Sequence, residues 1–241
     1  MYKRMPNLQR VKKTIVITGA SRGIGFETAR NLAELGHTVI AISRSVEGLR
    51  RLRESVQGDV ILLPMDLTKP KSIDELTRLV GELDVGLDGL IHNAGLLISK
   101  SFSELTDLEW QNQWELNVMV PVRLTRELLP TLNQGSHIVH IGSMGGYQGS
   151  SKFPGLSAYS ATKAALAALA ESLSAELAGQ NISSNCLCLG AVQTEMLEQA
   201  FPGYKAPVMP EKMGEFIANF TLNGHQFMNG KTLPVALNNP D

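Results

Sequence analysis

Seven short runs dominated by apolar residues, separated mostly by stretches of helical periodicity, constrain this chain more than any other feature. The runs cover residues 14–18, 38–43, 59–65, 89–93, 137–143, 182–189 and 231–235. Most are continuous instead of alternating in polarity, the pattern of parallel strands buried on both faces. The spacing predicts helices over 25–35, 46–56, 72–83, 107–132, 157–178 and 211–220. Gly36 and Gly179 stand where a helix C-terminus favours glycine. Ser72 and Glu75 have capping-box spacing, and Pro121 is expected to bend the fourth helix. Strand–helix alternation of this kind predicts an α/β fold: a single Rossmann domain with a doubly wound parallel sheet, helices on both faces and right-handed crossovers.

The 241 residues suffice for one such domain and are short for two. We place the domain at 14–241, behind a basic tail at 1–13. Residues 195–210 lack periodicity and carry Pro, Gly and Met, so they read as a substrate loop or lid. A net charge of -1 offers no basic field for nucleic acid or an anionic membrane. No apolar run reaches the roughly 18 residues that span a bilayer, and the basic tail lacks the apolar segment of a signal peptide. Cys186 and Cys188, two apart in one strand, are expected to be buried free thiols, which suits a cytoplasmic protein.

Thr18-Gly19-Ala20-Ser21-Arg22-Gly23-Ile24-Gly25 lies between the first strand and the first helix. Glycines there let the backbone approach a pyrophosphate, and the helix N-terminus offers free N–H groups and a favourable dipole. The spacing is G-x-x-x-G-x-G, which a purely structural turn could also adopt. At the end of the second strand an acidic residue would bind the 2′-hydroxyl of NAD. Here Ser43 and Arg44 stand instead, and with Arg22 they favour the 2′-phosphate of NADP(H) over NAD(H). Solvated surface arginines are the alternative. Asp66, closing the third strand, could accept from an adenine amino group or cap the next helix.

Tyr159 and Lys163, four apart, share one helix face. A neighbouring ammonium would lower the phenol's ordinary pKa of about 10 toward a useful acid–base range. Ser143 ends the fifth strand, where its hydroxyl could polarise a carbonyl or cap a turn. Asn117 sits mid-helix, a poor place for Asn on propensity, which suggests a kink or a water-binding role. His92-Asn93-Ala94-Gly95 follows the fourth strand, and the small pair leaves room for a cofactor or simply turns the chain.

Together, TGASRGIG at 18–25, Asp66, HNAG at 92–95, Asn117, Ser143 and YSATK at 159–163 resemble the short-chain dehydrogenase/reductase family, in the family's order and across nearly the whole chain. The resemblance is to its 3-oxoacyl-[acyl carrier protein] reductase-like and carbonyl-reductase-like members. It implies a seven-stranded parallel sheet with three helices on each face. It implies that Tyr159 protonates the substrate oxygen, Ser143 bonds the same oxygen, Lys163 binds the nicotinamide ribose and lowers the Tyr159 pKa, and Asn117 holds a water. Cofactor contacts are implied at Gly19, Ser21, Arg22, Gly23, Ile24, Gly25, Ser43, Arg44, Asp66, Leu67, Asn93, Ala94, Gly95, Tyr159, Lys163, Gly190, Val192 and Thr194. No metal site is implied.

Three departures stand out. His92 replaces the family's first Asn. Leu189-Gly190 replaces Pro-Gly, so a looser backbone beside the nicotinamide is expected. Ser143 and Tyr159 are 16 apart, about three more than the family norm, with the excess in residues 147–153. The reading is an NADP(H)-dependent reductase of a small, mainly apolar carbonyl substrate, forming a homodimer or homotetramer through its long helices. The alternatives are a non-catalytic NADP(H)-binding sensor or scaffold and an NAD-dependent alcohol dehydrogenase. Met196, Leu197, Phe201, Tyr204 and Met209 would face the substrate, or else close the core.

Overall fold

A computed structural model describes residues 11–237. Positions 1–10 of the basic tail and the last four of the C-terminal stretch lie outside the described residues. The elements run β1 (Thr14–Thr18), α1 (Gly23–Glu34), β2 (Thr38–Ser43), α2 (Val46–Glu54), β3 (Val60–Pro64), α3 (Pro70–Glu82), β4 (Leu87–His92), α4 (Asp107–Trp114), α5 (Val120–Leu128), β5 (Leu132–Ser143), α6 (Ser157–Glu176), β6 (Ser183–Leu189), α7 (Glu195–Ala200), α8 (Pro210–Asn223) and β7 (Thr232–Val235). The seven strands form one parallel sheet in the order β3-β2-β1-β4-β5-β6-β7.

Alternation along each strand explains the two helical layers. Ile15, Ile17, Val39, Ala41, Val139 and Leu187 face α1, α2 and α8. Val16, Ile40, Ile42, Leu90 and Ile138 face α3, α5 and the end of α6. Burying such a side chain contributes about 1.5–3 kcal/mol each, so shifting any strand by one residue would exchange the two faces at high cost. The edge strands β3 and β7 carry Pro64 and Pro234, residues that a central strand would reject for want of an N–H.

Several boundaries differ from the sequence expectation. The third helix opens at Pro70, with Lys69 at the cap position and no side-chain cap, so Ser72 and Glu75 do not form a capping box. Proline at a first helical position is preorganised for the role. The expected helix over 107–132 is broken: a π-helical turn, Glu115–Met119, separates α4 from α5, and Pro121 falls in the first turn of α5. The capping box instead sits at Thr106 and Glu109. Gly36 does adopt a left-handed φ of 88° after α1, but beyond α6 that role falls to Asn181 (φ 55°), not Gly179. Residues 195–210 contain the short helix α7, capped by Thr194. Cys186 and Cys188 are buried, free thiols. Among the described residues, no helix is long and apolar enough to cross a membrane.

Candidate active site

Adjacent crossovers diverge between β1 and β4, and a sheet of this order opens a crevice beyond the carboxyl ends of its strands there. A cleft of about 890 Å³ occupies that position. Every residue assigned above to cofactor contact lines it, together with Ser143. Asn117 does not line it and is fully buried beneath.

The phosphate end is built from close backbone contacts. A Cβ on Gly25 would stand 2.2 Å from the Asn93 Nδ2 and 2.3 Å from the Gly19 carbonyl oxygen, so only glycine lets the turn fold back onto β4. Asn93 Nδ2 donates to the carbonyls of Thr18 (2.9 Å) and Gly19 (3.2 Å). The Thr18 hydroxyl accepts from the backbone of Asn93 (3.1 Å) and Ala94 (3.0 Å). Thr18 is thus the clip joining the ends of β1 and β4, a task the sequence did not reveal because its hydroxyl serves a segment 75 residues away. Arg22, the cap residue of α1, offers no side-chain bond to the helix, and no acidic residue occupies the first turn. Those N–H groups suit a pyrophosphate.

Around the end of β2, Ser43 Oγ donates to Ser21 Oγ at 2.7 Å, fastening the strand to the Gly-rich turn. Arg22, Arg44 and Arg51 all reach this part of the cleft. Arg51 escaped notice because it lies on α2, seven residues beyond Arg44. Arg22 is ion-paired with Glu195, the first residue of α7. Asp66 Oδ1 accepts from the Thr68 N–H (3.1 Å) and hydroxyl (2.8 Å), closing a turn one step before the Lys69 cap, so it does not cap α3 itself.

At the other end, α6 presents Tyr159 and Lys163 to the cleft. A Cβ on Gly146 would fall 2.6 Å from the Ala164 nitrogen. Its absence lets the turn after β5 lie directly on α6 and brings Ser143 to the Tyr159 phenol. Burial pushes the Tyr159 pKa up to about 12, opposed only by its bond with the Ser143 hydroxyl. This corrects the expectation of a lowered value. The Lys163 Nζ is 5.7 Å from the ring centroid and donates to the Ile141 carbonyl at 2.7 Å. Burial lowers Lys163 to about 8. Its ammonium, held on that carbonyl, does not offset the effect of burial on the phenol.

Asn117 explains its own unfavourable location. Its Oδ1 accepts from the Leu96 N–H (2.7 Å), while its Nδ2 donates to the Leu96 carbonyl (2.9 Å) and the Thr162 hydroxyl (2.9 Å). The π-turn aims it there, where it ties the segment after β4 to α6. Gly190, expected to lie in looser backbone, bonds to the Val235 carbonyl at 2.9 Å, and Val192 bridges to Val208 in parallel. Thr194 Oγ1 accepts from the Leu197 N–H as the cap of α7.

A cleft prepared for phosphate at one end and holding a phenol and an amine at the other defines a class: the nicotinamide-dependent oxidoreductases built on a Rossmann sheet. Known proteins narrow it further. The short chain dehydrogenase family profile matches residues 13–205. A ketoacyl reductase, HetN, from a Nostoc species is 35% identical over 190 residues, covering 76% of this chain and 65% of that protein, just under two thirds of its length. The nodulation protein G of a Rhizobium species is 30% identical over 91% of this chain and 94% of its own. Among solved structures, L-sorbose reductase from Gluconobacter frateurii, complexed with NADPH and L-sorbose, superposes with a TM-score of 0.82 at 28% identity, covering 93% of this chain and 95% of that one. The chain belongs to the short-chain dehydrogenase family and is an oxidoreductase of that family.

Proposed function

We propose that this protein is an NADP(H)-dependent reductase that converts a small ketone or 3-oxoacyl-type carbonyl to the secondary alcohol. The observation that carries the reading is the convergence of Ser143, Tyr159 and Lys163 on one wall of the cleft that the Gly-rich turn opens.

The residues present fit the cofactor. The uncapped start of α1 with Ser21, Gly23 and Ile24 would hold the pyrophosphate, Asp66 and Leu67 the adenine side, and Asn93, Ala94, Gly95, Gly190, Val192 and Thr194 the nicotinamide side. Ser43, Arg44 and Arg22 would hold a 2′-phosphate. The bound nicotinamide supplies or accepts hydride. The protein's share is position and proton control. Tyr159, protonated across the neutral range, donates its phenolic proton to the substrate oxygen, which the Ser143 hydroxyl also bonds. Lys163 bonds the ribose, and Asn117 positions the segment that leads to it and holds a water.

Fluorescence titration with NADPH and NADH tests the cofactor assignment. Arg44→Ala is expected to weaken NADPH binding roughly 10- to 100-fold, the size of a lost charge-assisted bond, while leaving NADH unchanged. Equal losses for both nucleotides refute the 2′-phosphate role. Tyr159→Phe is expected to abolish ketone reduction and retain NADPH binding. The exposed Ala161, Ala164 and Ala168 of α6, with the exposed Leu108 and Trp114 of α4, support a homodimer or homotetramer, which light scattering would size.

A further inference from the structure

The substrate end of the cleft is closed by two aromatic rings from separate parts of the chain. Phe153 ends the segment by which Ser143 and Tyr159 are spaced further apart than in the family, and Phe201 terminates α7. Both line the cleft. Their centroids are 6.0 Å apart at an interplanar angle of 68°, an edge-to-face contact.

The segment carrying Phe153 is braced. Ser150 Oγ donates to the Tyr147 carbonyl at 2.8 Å, Lys152 Nζ donates to the same carbonyl at 2.6 Å, and the Lys100 N–H donates to the Gly155 carbonyl at 3.1 Å. Phe153 also lines a second recess of about 830 Å³, together with Phe102, Gly145 and Pro154. The backbone beneath the ring is held, and the ring itself meets Phe201.

Charge sharpens the picture. The charged residues lining the cleft are Arg22, Arg44, Arg51, Asp66, Lys163 and Glu195. The three arginines gather at the Gly-rich turn, β2 and α2, Lys163 sits beside Tyr159, and Glu195 is paired with Arg22. The same cleft is also lined by Leu97, Met144, Leu156, Met196 and Leu197. Lys152 is spent on the loop's own oxygens, and Lys100 on Glu109. Among the residues lining the cleft, the cations are the three arginines and Lys163, so the lining offers no further cation at the Phe153–Phe201 end to receive a carboxylate or phosphate; Lys205, four residues past Phe201, is exposed and outside the lining.

We propose that Phe153 and Phe201 are a specificity gate selecting neutral ketones with a planar apolar group beside the carbonyl. A planar group entering between the rings exchanges one edge-to-face contact for two ring contacts, whereas a flexible alkyl chain gains only area. An anion would lose its hydration with no partner to replace it. The gate rests on the reductase reading above, and the test separates the two.

Calorimetry would measure binding of acetophenone, 2-heptanone and acetoacetate to the protein alone and to its NADP+ complex, in which reduction cannot occur. Acetophenone is expected to bind most tightly and acetoacetate least. Phe153→Ala and Phe201→Ala should each weaken acetophenone about fivefold, the worth of one aromatic contact, with little effect on 2-heptanone. Phe153→Leu, which keeps the apolar volume and guards against a fold defect, should lose only the preference for the aryl ketone. Unchanged ranking in all three variants, acetoacetate as the tightest ligand, or no ketone binding overturns the gate. Turnover with NADPH is followed in parallel. Ketones bound in the expected order but never reduced would overturn the reductase reading and leave the gate standing.

Discussion

Gly25 shows how a single residue carries both the fold and the site. With Asn93 Nδ2 and the Gly19 carbonyl oxygen each inside 2.4 Å of a would-be Cβ, Gly25→Ala must displace the turn that faces the phosphates. We expect it to cost about 1–3 kcal/mol or more in urea denaturation and to abolish nucleotide binding. Tyr159 and Lys163 make a second prediction. With the phenol near 12 and the amine near 8, Tyr159 stays protonated through neutral pH while Lys163 loses its charge above about 8. The kcat/KM for reduction reports groups of the free enzyme, so it should fall above pH 8 and not follow a neutral phenol titration. A profile flat to pH 10 would contradict a role for charged Lys163. The Gly-rich turn and the Tyr–Lys pair were legible because their chemistry is local in sequence. Thr18 and Arg51 were not, because what they serve is reached only through folding.

At the scale of elements, the π-turn at Glu115–Met119 is where periodicity misled. The apolar spacing of 107–132 reads as one helix, and the extra residue that rotates Asn117 toward Leu96 leaves no mark on composition. Such turns recur at functional positions, since they re-aim one side chain without ending the helix. Asn117→Ala would strand the Leu96 N–H and carbonyl, at about 1–3 kcal/mol for each group left unpaired. Hydrogen exchange at the Leu96 amide should accelerate in this variant, while Asn117→Asp, which keeps the acceptor, should retain its protection. If both variants protect that amide as the wild type does, the π-turn has another purpose. All seven strands were legible because continuous apolar runs admit few other readings, but β5 begins at Leu132 and not at His137, since its first residues, Leu132-Asn133-Gln134-Gly135-Ser136, are mostly polar. α7 was not, since six residues give periodicity too little to act on.

Across the whole molecule, three of the five histidines are built into the sheet. His92 and His140 are register partners on β4 and β5 with ring centroids 4.9 Å apart, and His137 is buried on β5 three residues before His140, its ring against Phe220 and His225. Burial lowers His92 to about 3, His137 to about 4, and His140 well below its ordinary value. Their folded pKa values lie below the unfolded 6.5, so the unfolded chain binds protons first as the solution is acidified. The stability they confer is complete above pH 6.5 and drains away as pH falls toward 4, at about 1.4 kcal/mol per pH unit for each histidine. Urea midpoints at pH 7.0 and 5.0 should differ accordingly, and His92→Asn, which restores the family's residue, should flatten the slope by one histidine's share. An unchanged slope would mean that the His92 ring is protonated in the folded state.

The strand order has a consequence for how the chain is assembled. Because β1 sits in the middle of the sheet, between β2 and β4, the earliest of these seven strands in chain order becomes the keel and not the rim. β2 and β3 can settle on one flank at once, but the other flank of β1 stays unpaired until β4 emerges some 70 residues later. During that interval a bare, apolar strand edge is presented to whatever is nearby, a hazard for slow parallel sheets. A nascent chain halted before β4 should therefore depend on chaperones far more than one released after β5.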